Sequence, residues 1–495
     1  MKNYTVRLVP LEKEFSVREG TPLIDILHEY GVEFPCGGRG RCGKCRIRIL
    51  KGEIEADRVH QMKLRELGLG SDWRLSCHSQ CHGDLVLEVG QYESLIRADD
   101  TPFQFVAGDG LGIAFDLGTT TLVGQLLDLK TGRILAVEKG LNPQGKLGSD
   151  LVTRLEASLG DGGHEARVLI RQQVARMVER LMEGRGTTLD RMILVGNTVM
   201  HHFFSGLDIT PLSFFPFESP ETGMISFSSQ ELGWSIRCED IRFYPSLGSF
   251  VGSDILAGIM ATGMHQRDEF SVLVDLGTNG EIVVGNRDGL LCASTAAGPA
   301  FEGSCISCGM LATTGAIASV RPEGDGWQCR VIGEGQPKGI CGSGLIDVVA
   351  VLLQQGRIGM FGEIKSGEQE VVMKGPVTIS QKDLQEFLLA KSALSTGIQL
   401  LLNKLVISKE KVEQVYIAGG FGSYLNLENV NRTGMFEFPS DKMTPLGNTA
   451  LMGAKMFLFD NTDAVDEIRE RTTHVRLEAE PGFQDLFIEN MVLAG

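Results

Sequence analysis

The sequence predicts a small α+β domain at the N-terminus, followed by a larger α/β body made of two related lobes. Two observations predict this organisation. Four cysteines stand close to the N-terminus, and an apolar strand that ends in Asp-Leu-Gly-Thr occurs twice further on, at residues 111–121 and 272–281. A repeat at such a separation is typical of duplicated half-domains. We therefore expect a first domain at residues 1–90, a linker at 91–110, and two lobes at 111–270 and 271–495.

The first domain alternates apolar and polar residues, which is the pattern of half-buried strands. The alternating apolar residues are Val6 and Leu8, Phe15 and Val17, Ile47 and Ile49, and Leu85, Leu87 and Val89. The first two runs predict a hairpin. A helix is expected from Leu23 to Tyr30, because Thr21 suits the N-cap position and Pro22 suits the first turn of a helix.

The four cysteines are spaced like the ligands of an iron–sulfur cluster. Cys36, Cys42 and Cys45 form a C-x5-C-x2-C run, and Cys77 follows in the sequence Trp-Arg-Leu-Ser-Cys. Four thiolates hold a [2Fe–2S] cluster, and plant-type ferredoxins use a first gap that is one residue shorter. Glycines between the ligands let the backbone approach the cluster closely. We expect these four cysteines to be the ligands of a [2Fe–2S] cluster.

Alternatives to this ligand set exist. Cys81 competes with Cys77 for the fourth position; Arg74-Leu75-Ser76-Cys77 resembles the segment that supplies the last ligand in ferredoxins, so Cys77 is preferred and the choice stays open. A zinc site would leave Cys36 without a role, because zinc sites usually combine two close cysteine pairs. Disulfides would need an oxidising compartment, and the N-terminus lacks the apolar core of a signal peptide. The order strand, strand, helix, cluster loop, strand, strand resembles the β-grasp fold of ferredoxins.

Composition argues against several classes of function. The 495 residues carry a formal net charge of −16, which argues against a nucleic-acid partner. No apolar stretch approaches the ~18 residues that a membrane-spanning helix needs, so we expect no membrane partner. Several of the 11 cysteines belong to the metal motif, which suits a reducing compartment. We therefore expect the protein in the cytoplasm.

The duplicated strands carry residues that suit phosphate binding. Each strand brings an aspartate, Asp116 or Asp275, to its end, where a carboxylate can hold Mg²⁺ or its waters. The Gly-Thr turn that follows offers backbone N–H and hydroxyl donors to phosphate oxygens. A third apolar strand, from Val415 to Ala418, runs into glycines where an adenosine can lie against the backbone. Two such turns that face each other would hold a nucleotide from both sides.

These motifs resemble the superfamily of actin, heat-shock chaperones and acetate and sugar kinases, over roughly residues 110–460. The resemblance implies a two-lobed, actin-like ATPase of duplicated ribonuclease-H-like halves that closes over ATP and Mg²⁺, with Asp116 and Asp275 as its catalytic residues. The nucleotide contacts that it implies are Gly118, Thr119 and Thr120 in the first turn, Gly277, Thr278 and Asn279 in the second, Gly342 and Ser343 in a linking turn, and Gly419, Gly420 and Gly422 in the adenosine loop.

A ferredoxin-like domain joined to such an ATPase resembles the reductive activators of corrinoid proteins. The resemblance implies an ATP-hydrolysing iron–sulfur reductase that returns Co(II) to Co(I) on a corrinoid protein of a methyl-transfer or O-demethylation system. It also implies a low-potential electron donor such as a ferredoxin or flavodoxin, and a homodimer is compatible with it. Ser304 or Ser307, in a loop after an apparent glycine turn, is a candidate contact to cobalt, although that loop could equally shape the phosphate site.

Three other functions compete with this one. A small-molecule kinase with a redox-sensing cluster would phosphorylate its substrate, but no segment is identifiable as a sugar pocket. A passive electron carrier with a regulatory nucleotide site would reduce the corrinoid equally well without ATP. An activator of 2-hydroxyacyl-CoA dehydratases would hold its cluster between two subunits rather than in a separate ferredoxin-like domain, so the N-terminal motif argues against it.

Overall fold

The computed structural model describes most of the chain. It covers residues 2–9, 13–27, 45–89, 105–148, 151–277, 279–301, 305–310, 312, 315–333, 336–365, 367–419, 425–459 and 462–494. In these ranges no helix has both the length and the apolar character needed to cross a membrane.

In its described residues, the N-terminal domain is a five-stranded sheet with two helices. Its elements are β1 (Asn3–Val9), β2 (Lys13–Arg18), α1 (Leu23–Leu27), β3 (Arg46–Lys51), α2 (Arg58–Glu66), β4 (Trp73–Leu75) and β5 (Leu85–Val89). The strand order is β2-β1-β5-β3-β4. The predicted hairpin is confirmed, since β1 and β2 pair antiparallel. Helix α1 begins at the predicted residue, and its predicted end at Tyr30 lies outside the described residues.

The first lobe of the body is built on a six-stranded sheet in the order β10-β11-β9-β6-β7-β8. Its elements are β6 (Leu111–Leu117), β7 (Thr121–Asp128), β8 (Ile134–Leu141), α3 (Leu151–Ser158), α4 (His164–Leu181), β9 (Arg191–Gly196), α5 (Thr198–Ser205), α6 (Thr210–Ser213), β10 (Ile225–Phe227), α7 (Ser229–Leu232), β11 (Ile241–Phe243) and α8 (Ser253–Thr262).

The second lobe has a six-stranded sheet in the order β21-β20-β12-β13-β14-β22, with two smaller sheets beside it. Its elements are β12 (Phe270–Leu276), β13 (Gly280–Asn286), β14 (Gly289–Thr295), α9 (Gly298–Phe301), β15 (Ala316–Glu323), β16 (Gly326–Val331), β17 (Gly339–Ile340), α10 (Gly342–Gln354), β18 (Glu370–Lys374), β19 (Val377–Ser380), α11 (Gln381–Leu405), β20 (Val412–Ala418), α12 (Leu427–Arg432), β21 (Met443–Gly447), α13 (Thr449–Phe457), α14 (Thr462–Arg471), β22 (Thr472–His474) and α15 (Phe483–Glu489).

The two lobes repeat one pattern around their central strands. Strand β6 pairs antiparallel with β7 and parallel with β9, and β12 pairs antiparallel with β13 and parallel with β20. Both central strands are apolar and almost fully buried, as strands flanked on both sides must be. The predicted duplicated α/β body is confirmed.

Helices α8 and α13 pack closely against each other between the two sheets. A Cβ atom on Gly453 would lie 2.0 Å from the carbonyl oxygen of Ala257, so the two backbones approach within a distance that only glycine allows at that position. The surrounding apolar cluster draws on both sheets, with Ala114 from β6 and Leu273 from β12. The crossing therefore joins the two lobes.

The apolar core of the N-terminal domain continues into the second lobe. Its cluster of buried side chains also contains Ala316, Ala318, Ile332 and Cys341, and the half-buried Met310 packs against it. The thiol-bearing domain thus lies against the small sheet formed by β15, β16 and β17.

Candidate thiol pair and candidate nucleotide cleft

Two of the four predicted cluster ligands lie in the described part of the chain, and they meet. Cys45 directly precedes β3, and Cys77 lies in a short 3₁₀ turn, Ser76–His78, after β4. Their Sγ atoms are 3.1 Å apart, which is well beyond the ~2.05 Å of a disulfide. Two thiols at this separation, with no disulfide between them, fit ligation of one iron by both. Cys36 and Cys42 lie outside the described residues.

The backbone around this thiol pair is fixed by hydrogen bonds. The N–H and the Oγ of Ser76 each donate to the carbonyl oxygen of Cys45, both at 2.8 Å. This double contact extends the antiparallel pairing of β3 with β4, in which Arg46 lies opposite Leu75. Ser76, which directly precedes Cys77, is therefore hydrogen-bonded to the backbone carbonyl group of Cys45.

Cys81, the alternative fourth ligand, has a different environment. Its side chain is fully buried in the apolar core, and its Sγ lies 3.5 Å from the carbonyl oxygen of Gly83. Burial raises the pKa of this thiol, which disfavours the thiolate that iron binds. The geometry favours Cys77 as the fourth ligand, and that assignment stays a proposal.

The two Asp-Leu-Gly-Thr motifs form matching turns. Asp116 and Asp275 each stand one residue before the end of their strands, β6 and β12. In the first turn the N–H of Gly118 donates to Thr121 O at 3.1 Å, and in the second the N–H of Gly277 donates to Asn279 O at 3.0 Å. The structure therefore folds both motifs into tight turns beside an aspartate. Thr278 lies outside the described residues.

Four carboxyl groups from both lobes influence one another in the cleft. Burial raises the pKa of Asp116 to about 6, although a hydrogen bond from Asn448 acts in the opposite direction. Burial and then the charge of Asp116 raise the pKa of Asp254 to about 7. Burial and then the charges of Asp254 and Asp116 raise the pKa of Asp275 to about 8. Burial, with Asp254 and Asp275 nearby, also raises the pKa of Glu281 well above its usual range.

This excess of negative charge fits a divalent cation. Like charges and burial both destabilise the ionised carboxylates, and a cation would offset both effects. Within the described ranges, no three His, Cys, Asp or Glu side chains are placed to hold a metal ion by themselves. Mg²⁺ usually keeps several waters and binds one or two carboxylates together with substrate phosphates. The cleft therefore fits Mg²⁺ bound with a nucleotide.

Polar contacts around the first turn connect it to the rest of its lobe and to the other lobe. The Thr119 Oγ1 accepts a hydrogen bond from Asn197 Nδ2 at 3.0 Å, and Thr119 O accepts one from Arg154 Nη1 at 2.8 Å. The Asp116 Oδ2 accepts a hydrogen bond at 2.7 Å from Asn448 Nδ2 of the second lobe. Thr120 follows in the same turn and is half-buried. The first aspartate is thus held from across the cleft.

The remaining predicted nucleotide contacts are placed as follows. Gly419 has φ +103°, and a Cβ there would lie 2.2 Å from Leu276 O, so the third strand ends directly beside the second turn. Gly420 and Gly422 lie outside the described residues. Gly342 begins helix α10, whereas the Ser343 side chain is buried and its Oγ donates to Ala318 O at 2.9 Å. The hydroxyl of Ser343 therefore serves the packing of α10.

The loop from Cys305 to Met310 is fixed on both sides. The N–H of Ser307 donates to Asp383 Oδ1 at 2.7 Å, and Asp383 belongs to the capping box of the long helix α11. On the other side, Met310 N–H donates to Ile340 O at 2.9 Å. The side chain of Ser307 is exposed, so its hydroxyl is accessible to a partner. Ser304 lies outside the described residues.

The sequence analysis identified neither Asp254 nor Asn448 as a residue of the cleft. Asp254 stands in the first turn of α8, and no local motif marks it, because only the packing of α8 between the lobes brings it to Asp116 and Asp275. Asn448 is the N-cap of α13, and its side chain also donates a hydrogen bond to Asp116. An Asn at a helix start after a strand was the available signal.

Family models match almost the whole chain. Residues 6–82 match the 2Fe-2S iron-sulfur cluster binding domain, residues 111–267 the RACo middle region, and residues 269–495 the C-terminal domain of RACo, the ASKHA domain. This chain belongs to the RACo family.

Relatives of this RACo-family chain agree in length. The corrinoid activation enzyme RamQ of Eubacterium limosum is 29% identical to this chain, in an alignment that covers 97% of each chain. The [Co(II) methylated amine-specific corrinoid protein] reductase of Methanosarcina barkeri is 28% identical over 76% of both chains. Among solved structures, the reductive activator for corrinoid,iron-sulfur protein is 25% identical, with a TM-score of 0.69 over 99% of this chain and 98% of that one.

These matches confirm several predictions from the sequence. The ferredoxin-like fold with its [2Fe–2S] cofactor and the actin-like fold with its ATP cofactor are confirmed by the family models. The resemblance to reductive activators of corrinoid proteins is confirmed by the RACo models together with the full-length relatives.

Proposed function

We propose that this RACo-family protein is an ATP-dependent reductase that returns inactive Co(II) to Co(I) on a corrinoid protein. The observation that carries this proposal is the union, in one chain, of a ferredoxin-like thiol pair and a two-lobed nucleotide cleft. A relative that matches over 97% of both chains is named a corrinoid activation enzyme, and one that matches over 76% of both chains is named a reductase of a Co(II) corrinoid protein.

The chemistry explains why both parts are needed. When bound, the [2Fe–2S] cluster supplies one electron at a time. Co(I) corrinoids are strong reductants, and every ~59 mV by which the transfer is uphill costs a factor of ten in the equilibrium constant. ATP can favour the product only if it binds two states of the protein differently. Each cycle would thus consume one electron from an external donor, reduce one Co(II), and hydrolyse ATP to ADP and phosphate.

The cleft residues can convert nucleotide occupancy into a change of lobe arrangement. Asp116 lies in the first lobe and Asn448 in the second, and the hydrogen bond between them crosses the cleft. Mg²⁺ with ATP would neutralise Asp116, Asp254 and Asp275 and bring both phosphate turns onto one ligand. We infer that the closed arrangement holds the corrinoid protein in a state that accepts the electron.

The thiol-bearing domain contacts the second lobe at the end of the loop from Cys305 to Met310. Met310, at the end of that loop, packs against the apolar cluster that also includes Cys45, and the half-buried Cys77 packs against it as well. We propose that the Cys305–Met310 loop faces the cobalt and that the Ser307 hydroxyl contacts it. Ser304, which directly precedes this loop in the sequence, is the alternative contact.

Other parts of the proposal concern partners and boundaries. We propose that the electron donor is a low-potential ferredoxin or flavodoxin and that the protein works in the cytoplasm. A homodimer is compatible with this function. We propose that the first domain spans residues 1–90, the linker 91–110, and the two lobes 111–270 and 271–495.

The test is anaerobic reduction of candidate corrinoid proteins. The full-length protein, reduced and supplied with Mg²⁺ and ATP, is mixed with Co(II) corrinoid proteins, and the Co(I) absorption band is followed. We expect the band only when ATP is present. Equal reduction without ATP would favour a passive electron carrier, and consumption of ATP that depends on a sugar, with no Co(I), would favour a kinase.

Variants separate the roles of individual residues. Cys77→Ser should lose or alter the cluster, with Cys81→Ser as the matched control that keeps it. Ser307→Ala should slow Co(I) formation without changing the cluster spectrum or nucleotide binding. Unchanged reactivation by Ser307→Ala would remove that hydroxyl from the proposal while leaving the reductase function intact.

A further inference from the structure

A buried histidine lies behind the turn that carries Cys77. His60 is on helix α2 and is 3% exposed. Its Nε2 accepts a hydrogen bond at 2.8 Å from the backbone N–H of Leu75, which is two residues before Cys77 and fully buried. A ring nitrogen that accepts a hydrogen bond carries no proton, so the geometry requires the tautomer of His60 with an unprotonated Nε2.

The position of His60 is itself fixed. Asp57 caps helix α2, and its Oδ1 accepts a hydrogen bond from the backbone N–H of His60 at 2.7 Å. Burial, followed by the nearby His78 and Arg74, lowers the pKa of His60, which favours the neutral ring. The acceptor is thus held in place and kept unprotonated.

From His60 a continuous series of contacts leads to both thiols. His60 holds the N–H of Leu75, and the Ser79 Oγ donates to Leu75 O at 2.9 Å, so side chains engage both backbone polar groups of this residue. The next residue, Ser76, makes the two 2.8 Å hydrogen bonds to Cys45 O. Cys77 follows, with its Sγ 3.1 Å from that of Cys45.

We propose that His60 is a positioning residue for the Cys45–Cys77 thiol pair, acting through the Leu75 N–H and the Ser76 contacts. Loss of the acceptor would leave a buried N–H without a partner, and the turn would open to satisfy it. Because the turn sets where Cys77 lies relative to Cys45, its opening would alter the iron environment. This inference rests on the proposed ligation of iron by these two cysteines and is independent of the corrinoid partner.

The test compares His60→Leu with His60→Gln in the full-length protein after the cluster has been assembled. Leu fills much of the same space without an acceptor, whereas the Gln amide oxygen can reach the position of Nε2. Val59→Ala is the control on the same helix, because Val59 is 73% exposed. Three quantities are measured: the rate at which an iron chelator bleaches the cluster, the EPR g-values of the reduced cluster, and its reduction potential.

We expect His60→Leu to lose its cluster on the order of tenfold to a hundredfold faster than the parent, as the cost of an unpaired buried donor implies. Its g-values and potential should also move. His60→Gln should stay within about threefold of the parent rate, since a hydrogen bond of similar length can form. Isolation of His60→Leu without a cluster, while His60→Gln holds one, would support the proposal in the same way.

Two results would overturn it. One is a His60→Leu protein with the parent bleaching rate and g-values; the other is equal damage in the Leu and Gln variants, which would assign the effect to ring packing. Ser76→Ala provides a second variant that keeps α2 intact, and unchanged g-values in it would also contradict the proposed series of contacts. Cys77→Ser is run in parallel, because retention of an unaltered cluster in that variant would instead refute the ligation on which the inference rests.

Discussion

Asn448 offers a direct test of the cleft, because it performs two separable tasks. Its Nδ2 donates to Asp116 Oδ2 at 2.7 Å, and its Oδ1 accepts from Leu451 N–H at 2.8 Å as the N-cap of α13. Asn448→Ser keeps a side chain that can cap the helix but is too short to hold Asp116. Asn448→Ala removes both contacts.

The magnitudes of the two losses differ. A hydrogen bond to a charged group is worth about 1.5–3 kcal/mol, which corresponds to roughly a tenfold to hundredfold loss of rate if it is needed in the reacting complex. Loss of the cap costs about 1 kcal/mol of stability. We therefore expect Ser and Ala at position 448 to reduce kcat/KM for ATP similarly, and only Ala to lower the Tm through the missing cap.

The assay is phosphate release from Mg²⁺-bound ATP, in the presence of the corrinoid partner, together with thermal unfolding. Leu451→Met, in the first part of the same helix, serves as a control that leaves both contacts of Asn448 in place. The reasoning is refuted if Asn448→Ser hydrolyses ATP at the parent rate, since the contact across the cleft would then contribute nothing to catalysis.

Three further predictions concern packing and pH. Gly453→Ala should destabilise the protein by about 1–3 kcal/mol, because its Cβ would lie 2.0 Å from Ala257 O. Gly160→Ala is the control, because a Cβ there meets no atom within 4 Å. Equal Tm values for the two variants would contradict this prediction. Burial holds the pKa of His201 at about 3, below its usual 6.5, so the folded state loses stability as pH falls below 6.5. His201→Phe should make the free energy of unfolding less dependent on pH between 6.5 and 4, as measured by denaturant titration. An unchanged slope would argue against this role of His201. Burial lowers the pKa of Lys391 from 10.5 to about 8, so the unfolded state binds more protons between these pH values and the stability of the fold rises with pH from 8 to 10.5. Lys391→Met should remove this rise. If the rise remains in the variant, Lys391 is not its cause.

The parts of the fold that local patterns specify could be predicted from the sequence. Alternation at Val6, Leu8, Phe15 and Val17 identified the first hairpin, because one face of each strand has to be buried. The duplicated Asp-Leu-Gly-Thr strands identified the two-lobed body, because both halves repeat the same strand-turn signal.

The parts that depend on packing between distant segments could not be predicted. Asp254 has an ordinary helix-start sequence, and its role depends on where α8 lies between the lobes. Helix α2 with His60 was not expected, because most of its residues are polar and the buried contact of His60 is with a backbone N–H. Cys77 and Cys81 could not be separated by spacing; the 3.1 Å approach of Cys77 Sγ to Cys45 Sγ and the burial of Cys81 distinguish them.

The crossing of α8 and α13 connects a rotation between the lobes to the positions of two cleft residues. Asp254 stands three residues from Ala257 and Asn448 five residues from Gly453, which gives arms of ~4.5 and ~7.5 Å at 1.5 Å per residue. A rotation of ~10° about the crossing would displace these two positions by ~0.8 and ~1.3 Å. The larger displacement is enough to break the 2.7 Å contact between Asn448 and Asp116. A small rotation of one lobe would therefore first change the hydrogen bond between Asn448 and the aspartate of the other lobe.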